Sequence, residues 1–367
     1  MKKYLVFGIS GQMGGVESFL FNYVSKMMND ENKFEFVFFD TVPEFFYKSV
    51  LKDCKYYIVT SRTRNYLKYL QGLKQVLKNG KYDVLWYNVC TLSDITLLKL
   101  AAKYKIPCRI AHSHNSENMG GKLVGALHWL HKKGVMKYST ENFACSDKAA
   151  EFMFGTKSGV KIINNAIEAS KYKYDEAVRN KLRKQLNITD ELVIGHVGRF
   201  HMQKNHIFII KVLKEIVQLN NNVKVILIGN GTLKEKIISY AQESGVLDNI
   251  IFLEKRTDVN ELLQTMDVFL FPSLFEGLGL ALIEAQAADL PCVISDTIPK
   301  AAILTEKVVI KSLNETPEEW AKAVLSCSEN KERKDRELLL KQKKYDIQEN
   351  AEMLVKYINE KYINEKY

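Results

Sequence analysis

Few residues in this 367-residue sequence interrupt or crosslink the chain, since it contains 6 Pro, 19 Gly and 6 Cys. The cysteines form no C-x-x-C pair, which argues against a cysteine metal site and against a redox motif. Most of them stand in apolar runs, where a reduced thiol packs as a small hydrophobe. We therefore predict free thiols, and hence a reducing cytoplasm, for Cys54, Cys90, Cys108, Cys145, Cys292 and Cys327.

Long apolar runs are absent as well. The first run, Tyr4–Phe7, ends at Gly8, which is too early for the hydrophobic core of a signal peptide. No stretch approaches the roughly 18 apolar residues of a membrane span. The sequence therefore predicts a cytoplasmic protein whose contact with a membrane is peripheral.

Apolar residues themselves are plentiful, at 46% of the chain. A single core rarely grows beyond about 250 residues, so we expect two domains. The net charge is +10. Such a charge suits nucleic acid, anionic lipid or anionic small molecules, and does not by itself separate them.

Short apolar runs alternate with amphipathic stretches, and this β-α-β-α order predicts parallel sheets. A polar stretch at 164–190 interrupts the alternation, which then starts again. We predict an α/β fold of two Rossmann-like, doubly wound domains, 1–168 and 169–345, that face a cleft. A charged helical tail, 346–367, would pack back on the first domain. The predicted strands are Tyr4–Phe7, Phe34–Phe39, Val84–Tyr87, Cys108–Ala111 and Phe143–Cys145, then Leu192–Val197, Val223–Ile228, Ile250–Leu253, Val268–Phe271 and Cys292–Ser295.

A loop with two cations follows the first strand of the second domain. Arg199 and Lys204 stand five residues apart between this strand and a predicted helix. At the carboxyl edge of a sheet the two can converge on one anion, and the guanidinium fork suits phosphate. This loop predicts an anion site.

A second motif runs from Phe271 to Glu284. A strand ends at Pro272, a glycine turn follows, and a helix starts near Gly279, so the unpaired amides and the positive dipole end of that helix can bind an anion. Glu276 lies in the turn and Glu284 in the helix. Carboxylates beside an anion site are expected to accept hydrogen bonds from hydroxyls, which a sugar and a ribose supply.

Together these motifs resemble the retaining glycosyltransferases of family 4, which have the GT-B fold, and within them the bacterial capsular and exopolysaccharide type. The resemblance covers nearly the whole chain. It starts at the turn Gly14-Gly15-Val16-Glu17, continues through Ala111-His112-Ser113-His114-Asn115 and the Glu-x7-Glu segment, and ends at Ala287-Ala288-Asp289-Leu290-Pro291.

The resemblance implies a role for each matched residue of the second domain. Arg199 and Lys204 would hold the donor diphosphate together with the backbone amides of Gly279 and Leu280. Glu276 would accept hydrogen bonds from hydroxyls of the donor sugar. Other positions of these loops that would contact the donor are Gly198, Gly277 and Leu278.

The resemblance implies that other residues contact the nucleoside end of the donor. Glu284 would accept from the ribose, and Gly229 and Gly231 would lie near the base. Arg256 falls in the base-proximal segment, where Glu254 replaces the usual glycine and puts the base contacts of Arg256 in doubt. Asp289 replaces a second glycine, and we expect that this changes only a turn.

In the first domain, Gly14 and Gly15 would let the backbone come close to a phosphate or to the acceptor. The resemblance also implies that one histidine at the end of the fourth strand lies near the donor sugar. Both His112 and His114 fit the motif, and we favour His112. We assign it a catalytic role beside Arg199 and Lys204, and a fourth catalytic role to Glu276.

The chain has no Asp-x-Asp pair, with which many glycosyltransferases hold a divalent cation on the diphosphate. Two cations and a helix terminus can stabilise the leaving group instead. We therefore expect no metal site and no cofactor besides the nucleotide-sugar donor, which is a substrate.

Two basic patches of the first domain accompany apolar residues. The second resembles a cationic amphipathic helix suited to an anionic inner membrane surface, which fits the family's often lipid-linked saccharide acceptors. The patches are Arg62, Arg64, Lys68, Lys74, Lys78 and Lys81, and Lys122, Lys132, Lys133 and Lys137 around Leu123, Val124, Leu127, Trp129 and Leu130.

The resemblance thus predicts a cytoplasmic hexosyltransferase of polysaccharide biosynthesis that uses a UDP- or GDP-sugar and retains the donor configuration. An alternative is a sugar-nucleotide epimerase of the GT-B type, which would release no free nucleoside diphosphate when an acceptor is supplied. A nucleic-acid-binding protein is a remote alternative, because it would interleave aromatic and basic residues on one exposed face. We expect no nucleic-acid partner.

Overall fold

The computed structural model describes residues 1–11, 14–117, 121–329 and 331–362. It divides into two compact units. Unit 1 comprises Met1–Ala166 and Ile347–Tyr367, and unit 2 comprises Ile167–Asp346. The chain therefore changes unit at 166/167 and 346/347, where the sequence prediction has 168/169 and 345/346.

In the described part of the chain, unit 1 holds a seven-stranded parallel sheet in the order β3-β2-β1-β4-β5-β6-β7. The strand order reverses between β1 and β4, and the carboxyl ends of strands beside such a reversal are the usual place for a ligand. The strands are β1 (Lys2–Phe7), β2 (Asn32–Phe39), β3 (Lys55–Val59), β4 (Val84–Val89), β5 (Cys108–Ser113), β6 (Glu141–Ala144) and β7 (Lys161–Ile162).

Helices cover both faces of the unit 1 sheet. The first and last helices of the unit, α1 and α15, pack together on one face, and Ile347, Ala351, Leu354 and Ile358 of α15 are buried there. The helices are α1 (Gly15–Met27), α2 (Glu44–Tyr47), α3 (Tyr66–Gly80), α4 (Thr96–Lys103), α5 (Lys122–Lys132), α6 (Val135–Tyr138), α7 (Asp147–Phe154) and, at the carboxyl end, α15 (Ile347–Tyr362). The tail is thus part of the core of unit 1.

Unit 2 holds, within its described residues, a six-stranded parallel sheet in the order β10-β9-β8-β11-β12-β13. Its order reverses between β8 and β11. The strands are β8 (Leu192–Val197), β9 (Val223–Ile228), β10 (Ile250–Leu253), β11 (Val268–Phe271), β12 (Cys292–Ser295) and β13 (Val308–Lys311). The prediction of two parallel-sheet α/β domains is confirmed.

The helices of unit 2 lie on both faces of its sheet, so its central strands are apolar on both sides. Gly195 in β8 shows how tight the packing is, because a Cβ there would lie 1.9 Å from the Met266 sulfur. The helices are α8 (Glu176–Gln185), α9 (His206–Leu219), α10 (Lys234–Glu243), α11 (Val259–Leu262), α12 (Leu280–Ala287), α13 (Pro317–Cys327) and α14 (Glu337–Gln342).

Candidate functional site

Two loops meet at the strand-order reversal of unit 2, one after β8 and one after β11. The Gln203 Nε2 donates to the Phe275 carbonyl at 2.9 Å, and the Leu274 amide donates to the Gln203 carbonyl at 2.8 Å. The Asn205 side chain donates to the Pro272 carbonyl at 3.2 Å. These bonds hold the two motifs predicted from the sequence against each other.

Lys204 and Glu276 form an ion pair across these loops. The Lys204 Nζ lies 2.6 Å from Glu276 Oε1, with 15% and 7% of the two side chains exposed. The same Nζ lies 4.8 Å from the centre of the Phe271 ring. The predicted diphosphate cation and the predicted sugar-binding carboxylate therefore neutralise each other in this structure.

Arg199 is exposed, and among the described residues its side chain has no hydrogen bond or ion pair, while its carbonyl oxygen accepts from the His201 amide at 2.6 Å. The backbone around it is tightly packed. A Cβ on Gly229, whose φ is +150°, would lie 2.1 Å from the Gly198 carbonyl oxygen, and one on Gly231 would lie 2.3 Å from that of Phe200. These glycines let the loop after β9 support the Arg199 loop, which is a structural reason for them independent of any base contact.

The N-terminus of α12 lies in the same place. Gly279 adopts φ +85° just before the helix, which begins at Leu280, and no side chain caps this end. Its first turn contains no acidic residue. Nothing in the described part of the chain lies within 4 Å of the position that a Cβ on Gly277 would take, and Leu278 is partly exposed. The terminus therefore keeps its amides and its positive dipole end available for an anion.

Glu284, one turn into α12, has a partner that the sequence did not indicate. The Tyr172 hydroxyl donates to Glu284 Oε1 at 3.0 Å. Burial raises the pKa of the Glu284 carboxyl to about 7, against the lowering effect of this hydrogen bond. Tyr172 is 112 residues away in sequence, and no local motif marks it.

Arg256 lies apart from these contacts. Its Nε donates to Asp258 Oδ1 at 2.8 Å, and 43% of its side chain is exposed. The neighbouring Glu254, the first departure from the family pattern, pairs with Lys234. A base contact by Arg256 would compete with the Asp258 pair.

The second departure does more than the predicted change of a turn. Asp289 adopts φ 53°, the left-handed conformation in which the usual glycine is unstrained. Its carboxylate is fully buried and accepts from Lys307 Nζ at 2.9 Å, Arg336 Nε at 2.6 Å and the Lys334 amide at 2.6 Å. The prediction was wrong in this respect, because the extra carboxylate binds the segment before α14 to the end of α12.

In unit 1, the predicted glycine pair opens α1, with Gly14 before the helix and Gly15 its first residue. Nothing described lies within 4 Å of a Cβ built on Gly15. The buried Glu17 accepts from the Gly14 amide at 2.9 Å and from the Ser10 amide at 2.8 Å. Glu17 thus holds both ends of the first loop.

The histidine pair differs from expectation. It closes the fifth strand, β5, because the sequence prediction lacks β3. His112 is fully buried, and its ring packs against Phe19, Trp86 and Phe143. His114, just past the strand end, is partly exposed. The full burial of His112 argues against its preference as the sugar-facing residue, and His114 is the member of the pair with exposed surface.

Within 1–11, 14–117, 121–329 and 331–362 no group of three or more His, Cys, Asp or Glu side chains is placed to hold a metal ion. Among the helices of those residues, none has the length and apolar character that crossing a bilayer requires.

Comparison with known proteins adds to this geometry. Residues 178–346, which fall within unit 2, match the family described as Glycosyl transferases group 1. The putative glycosyltransferase EpsF of Bacillus subtilis is 29% identical over 361 residues, which cover 94% of this chain and 93% of EpsF. The Escherichia coli UDP-Gal:alpha-D-GlcNAc-diphosphoundecaprenol alpha-1,3-galactosyltransferase is 28% identical over 245 residues, covering 63% and 62%.

The fold as a whole also has solved counterparts. The structure of Anabaena Alr3699/HepE in complex with UDP superposes with a TM-score of 0.70 and 19% identity, over 99% of this chain and 96% of HepE. The EpsF alignment and the HepE superposition each extend over residues of both units.

Proposed function

We propose that this chain, a glycosyltransferase of group 1 with the GT-B type of fold, transfers a sugar from a UDP- or GDP-sugar to a lipid-linked saccharide in polysaccharide biosynthesis. The observation that carries the proposal is the joined pair of loops in unit 2, which brings Arg199, Lys204 and the uncapped end of α12 to one edge of the sheet. Two cations and a helix terminus form a site for a diphosphate.

The donor class has support from similar proteins. The HepE structure contains UDP, and the E. coli relative is named for UDP-Gal. In this chain the ribose hydroxyls would reach Glu284, which already accepts from a hydroxyl, that of Tyr172. The base is not specified by these contacts, so both UDP and GDP remain in the proposal.

The Lys204–Glu276 pair suggests how the donor enters. When a diphosphate binds, its oxygens offer Lys204 a stronger anionic partner than one carboxylate. Glu276 is then released to accept hydrogen bonds from the donor sugar, as the family resemblance implies. The ion pair therefore keeps the charges of Lys204 and Glu276 neutralised until the donor binds and separates the two side chains.

The proposed reaction uses these positions. The bond between the sugar C1 and the diphosphate oxygen breaks, and Arg199, Lys204 and the α12 amides stabilise the charge that grows on the leaving group. The acceptor oxygen bonds to C1 from the same face, so the donor's α configuration is retained, and its proton passes to the departing diphosphate. No metal is needed for this charge stabilisation.

The surface of helix α5 supports the part of the proposal that places a lipid-linked acceptor at an anionic inner membrane surface. Leu123, Trp129 and Leu130 are 74%, 66% and 63% exposed, and Lys133 Nζ lies 5.2 Å from the Trp129 ring centre. His128 is buried beneath and accepts from the Leu92 amide at 3.1 Å. An anchored helix with apolar and cationic residues outward suits the headgroup region. The E. coli relative is named for a diphosphoundecaprenol acceptor.

The test is a transfer assay with a panel of UDP- and GDP-sugars and saccharide diphosphopolyprenols, read by mass spectrometry. One donor should lengthen the lipid-linked saccharide and release its nucleoside diphosphate in equal amount. A nucleotide sugar converted to an isomer, with no transfer, would support the epimerase alternative. No binding of any nucleotide sugar by thermal shift would contradict both.

A further inference from the structure

Asn88 stands at the end of β4, with 1% of its surface exposed. Its Nδ2 donates to the Phe7 carbonyl at 3.2 Å and to the Trp86 carbonyl at 3.2 Å. Both partners can only accept, so the orientation of the amide is determined. A flipped amide would put its oxygen against two carbonyl oxygens.

The other end of the Asn88 amide faces His114. Asn88 Oδ1 lies 3.0 Å from His114 Nε2, and because an amide oxygen only accepts, that nitrogen carries a hydrogen. Burial lowers the pKa of His114 to about 3, so the ring is neutral at physiological pH. A neutral ring protonated on Nε2 presents Nδ1 as a hydrogen-bond acceptor.

His112, whose ring centre lies 4.2 Å from that of His114, has its acceptor occupied. Trp86 Nε1, which can only donate, lies 3.3 Å from His112 Nδ1. Burial also lowers the pKa of His112 well below its usual value. Of the two histidines, His114 is the one that keeps an acceptor for a ligand.

We infer that Asn88 is a positioning residue, which holds His114 as the Nε2-protonated tautomer so that Nδ1 accepts a hydrogen bond from a sugar hydroxyl. The inference rests on the proposed transfer reaction. The backbone geometry beside it is equally constrained, since Gly8 has φ +113° and a Cβ there would lie 1.9 Å from the Asn88 carbonyl oxygen.

The tautomer can be measured in the unliganded full-length protein labelled with 15N-histidine. His114, assigned from the spectrum of His114→Gln, should show a protonated Nε2 and an unprotonated Nδ1 in the wild type. Asn88→Ala should turn this into a mixture of tautomers. His128 is an internal control, because the Leu92 amide and the Phe152 carbonyl fix its tautomer in every variant.

Kinetics connect the tautomer to the reaction. Asn88→Ala and His114→Ala should each lower kcat/KM about 10-fold, as expected for one hydrogen bond. The double variant should lose little more, because the two residues act as one unit. The affinity for the free nucleoside diphosphate of the active donor should stay at the wild-type value.

A protonated Nδ1 on His114 in the wild type would overturn the inference even if Asn88→Ala failed to fold. Wild-type kcat/KM in folded Asn88→Ala and His114→Ala would overturn the positioning role while leaving the transfer reaction intact. Absence of transfer in the wild type would instead refute the proposed function, and the tautomer result would stand without it.

Discussion

The Lys204–Glu276 pair allows a prediction about stability that is separate from activity. Lys204→Met keeps much of the side-chain volume and removes the charge. The Glu276 carboxylate, only 7% exposed, then loses the cation 2.6 Å away. Breaking a buried pair from one side costs about 3–5 kcal/mol, and we expect about 3 kcal/mol here because both side chains keep some contact with water.

The reverse substitution should be milder. Glu276→Gln leaves the Lys204 ammonium 15% exposed and near the Phe271 ring, so its charge keeps some solvation and a cation–π contact. The double variant Lys204→Met/Glu276→Gln has no unpaired charge and should be more stable than Lys204→Met alone. Its difference from the sum of the single effects measures the pair, and we expect at least about 2 kcal/mol.

The assay is urea unfolding monitored by hydrogen exchange on peptides of unit 2. Reading only these peptides gives the free energy of unfolding of unit 2 without a contribution from unit 1. Lys234→Met is the matched control, because its partner Glu254 is 64% exposed and a surface pair contributes about 0–1 kcal/mol. If Lys204→Met lowers the free energy of unfolding no more than Lys234→Met does, the buried Lys204–Glu276 pair does not exist in solution.

Arg199→Ala should lower kcat about 100-fold in steady-state kinetics. Because Arg199 is exposed, the free energy of unfolding from urea titration should change by less than about 0.5 kcal/mol. A near wild-type kcat would remove Arg199 from the mechanism. Glu284 binds a proton more tightly in the folded protein, with a pKa of about 7 against 4.5, so stability should fall as the pH rises across that window. Glu284→Gln should flatten the fall, and an unchanged pH profile of unfolding would contradict it. Transfer should continue in excess EDTA; activity lost with chelator and restored by magnesium would show a metal requirement. Lys132→Glu/Lys133→Glu should weaken binding to phosphatidylglycerol vesicles at low salt by more than about 30-fold, which is the loss of two lysines at about 1 kcal/mol each before the repulsion of the two new carboxylates. Equal sedimentation of the wild type with anionic and with neutral vesicles would refute membrane binding by α5.

The central strands were predictable because each is an apolar run closed by polar or glycine residues. In unit 2, β8 to β12 have the predicted bounds. The sequence prediction lacks β3, β7 and β13, and all three are edge strands of their sheets. Edge strands bury fewer side chains, and Ile58 of β3 is 56% exposed, so their apolar pattern is weak. Helix α8 was hidden by its polarity, since it buries Arg183 as well as Leu182.

The candidate site could be predicted only where its residues lie close in sequence to a strand end. Arg199, Lys204 and Gly279 are such residues. Tyr172 and Asn88 contact candidate-site residues that are distant in sequence, and no local pattern indicates them. The choice between His112 and His114 depended on where β5 ends, at Ser113, and strand ends are less certain than strands in any reading of a sequence.

Unit 1 is made from both ends of the chain, because α15 completes a core begun by α1. During synthesis, unit 2 emerges as one continuous segment and can fold as soon as it is exposed, whereas unit 1 waits until α15 has been made. The half that is translated first would thus be the last to mature. Until then the face of α1 that receives Leu354 and Ile358 is open to water and to chaperones, so a stop codon before α15 should disable the amino-terminal unit and spare the other.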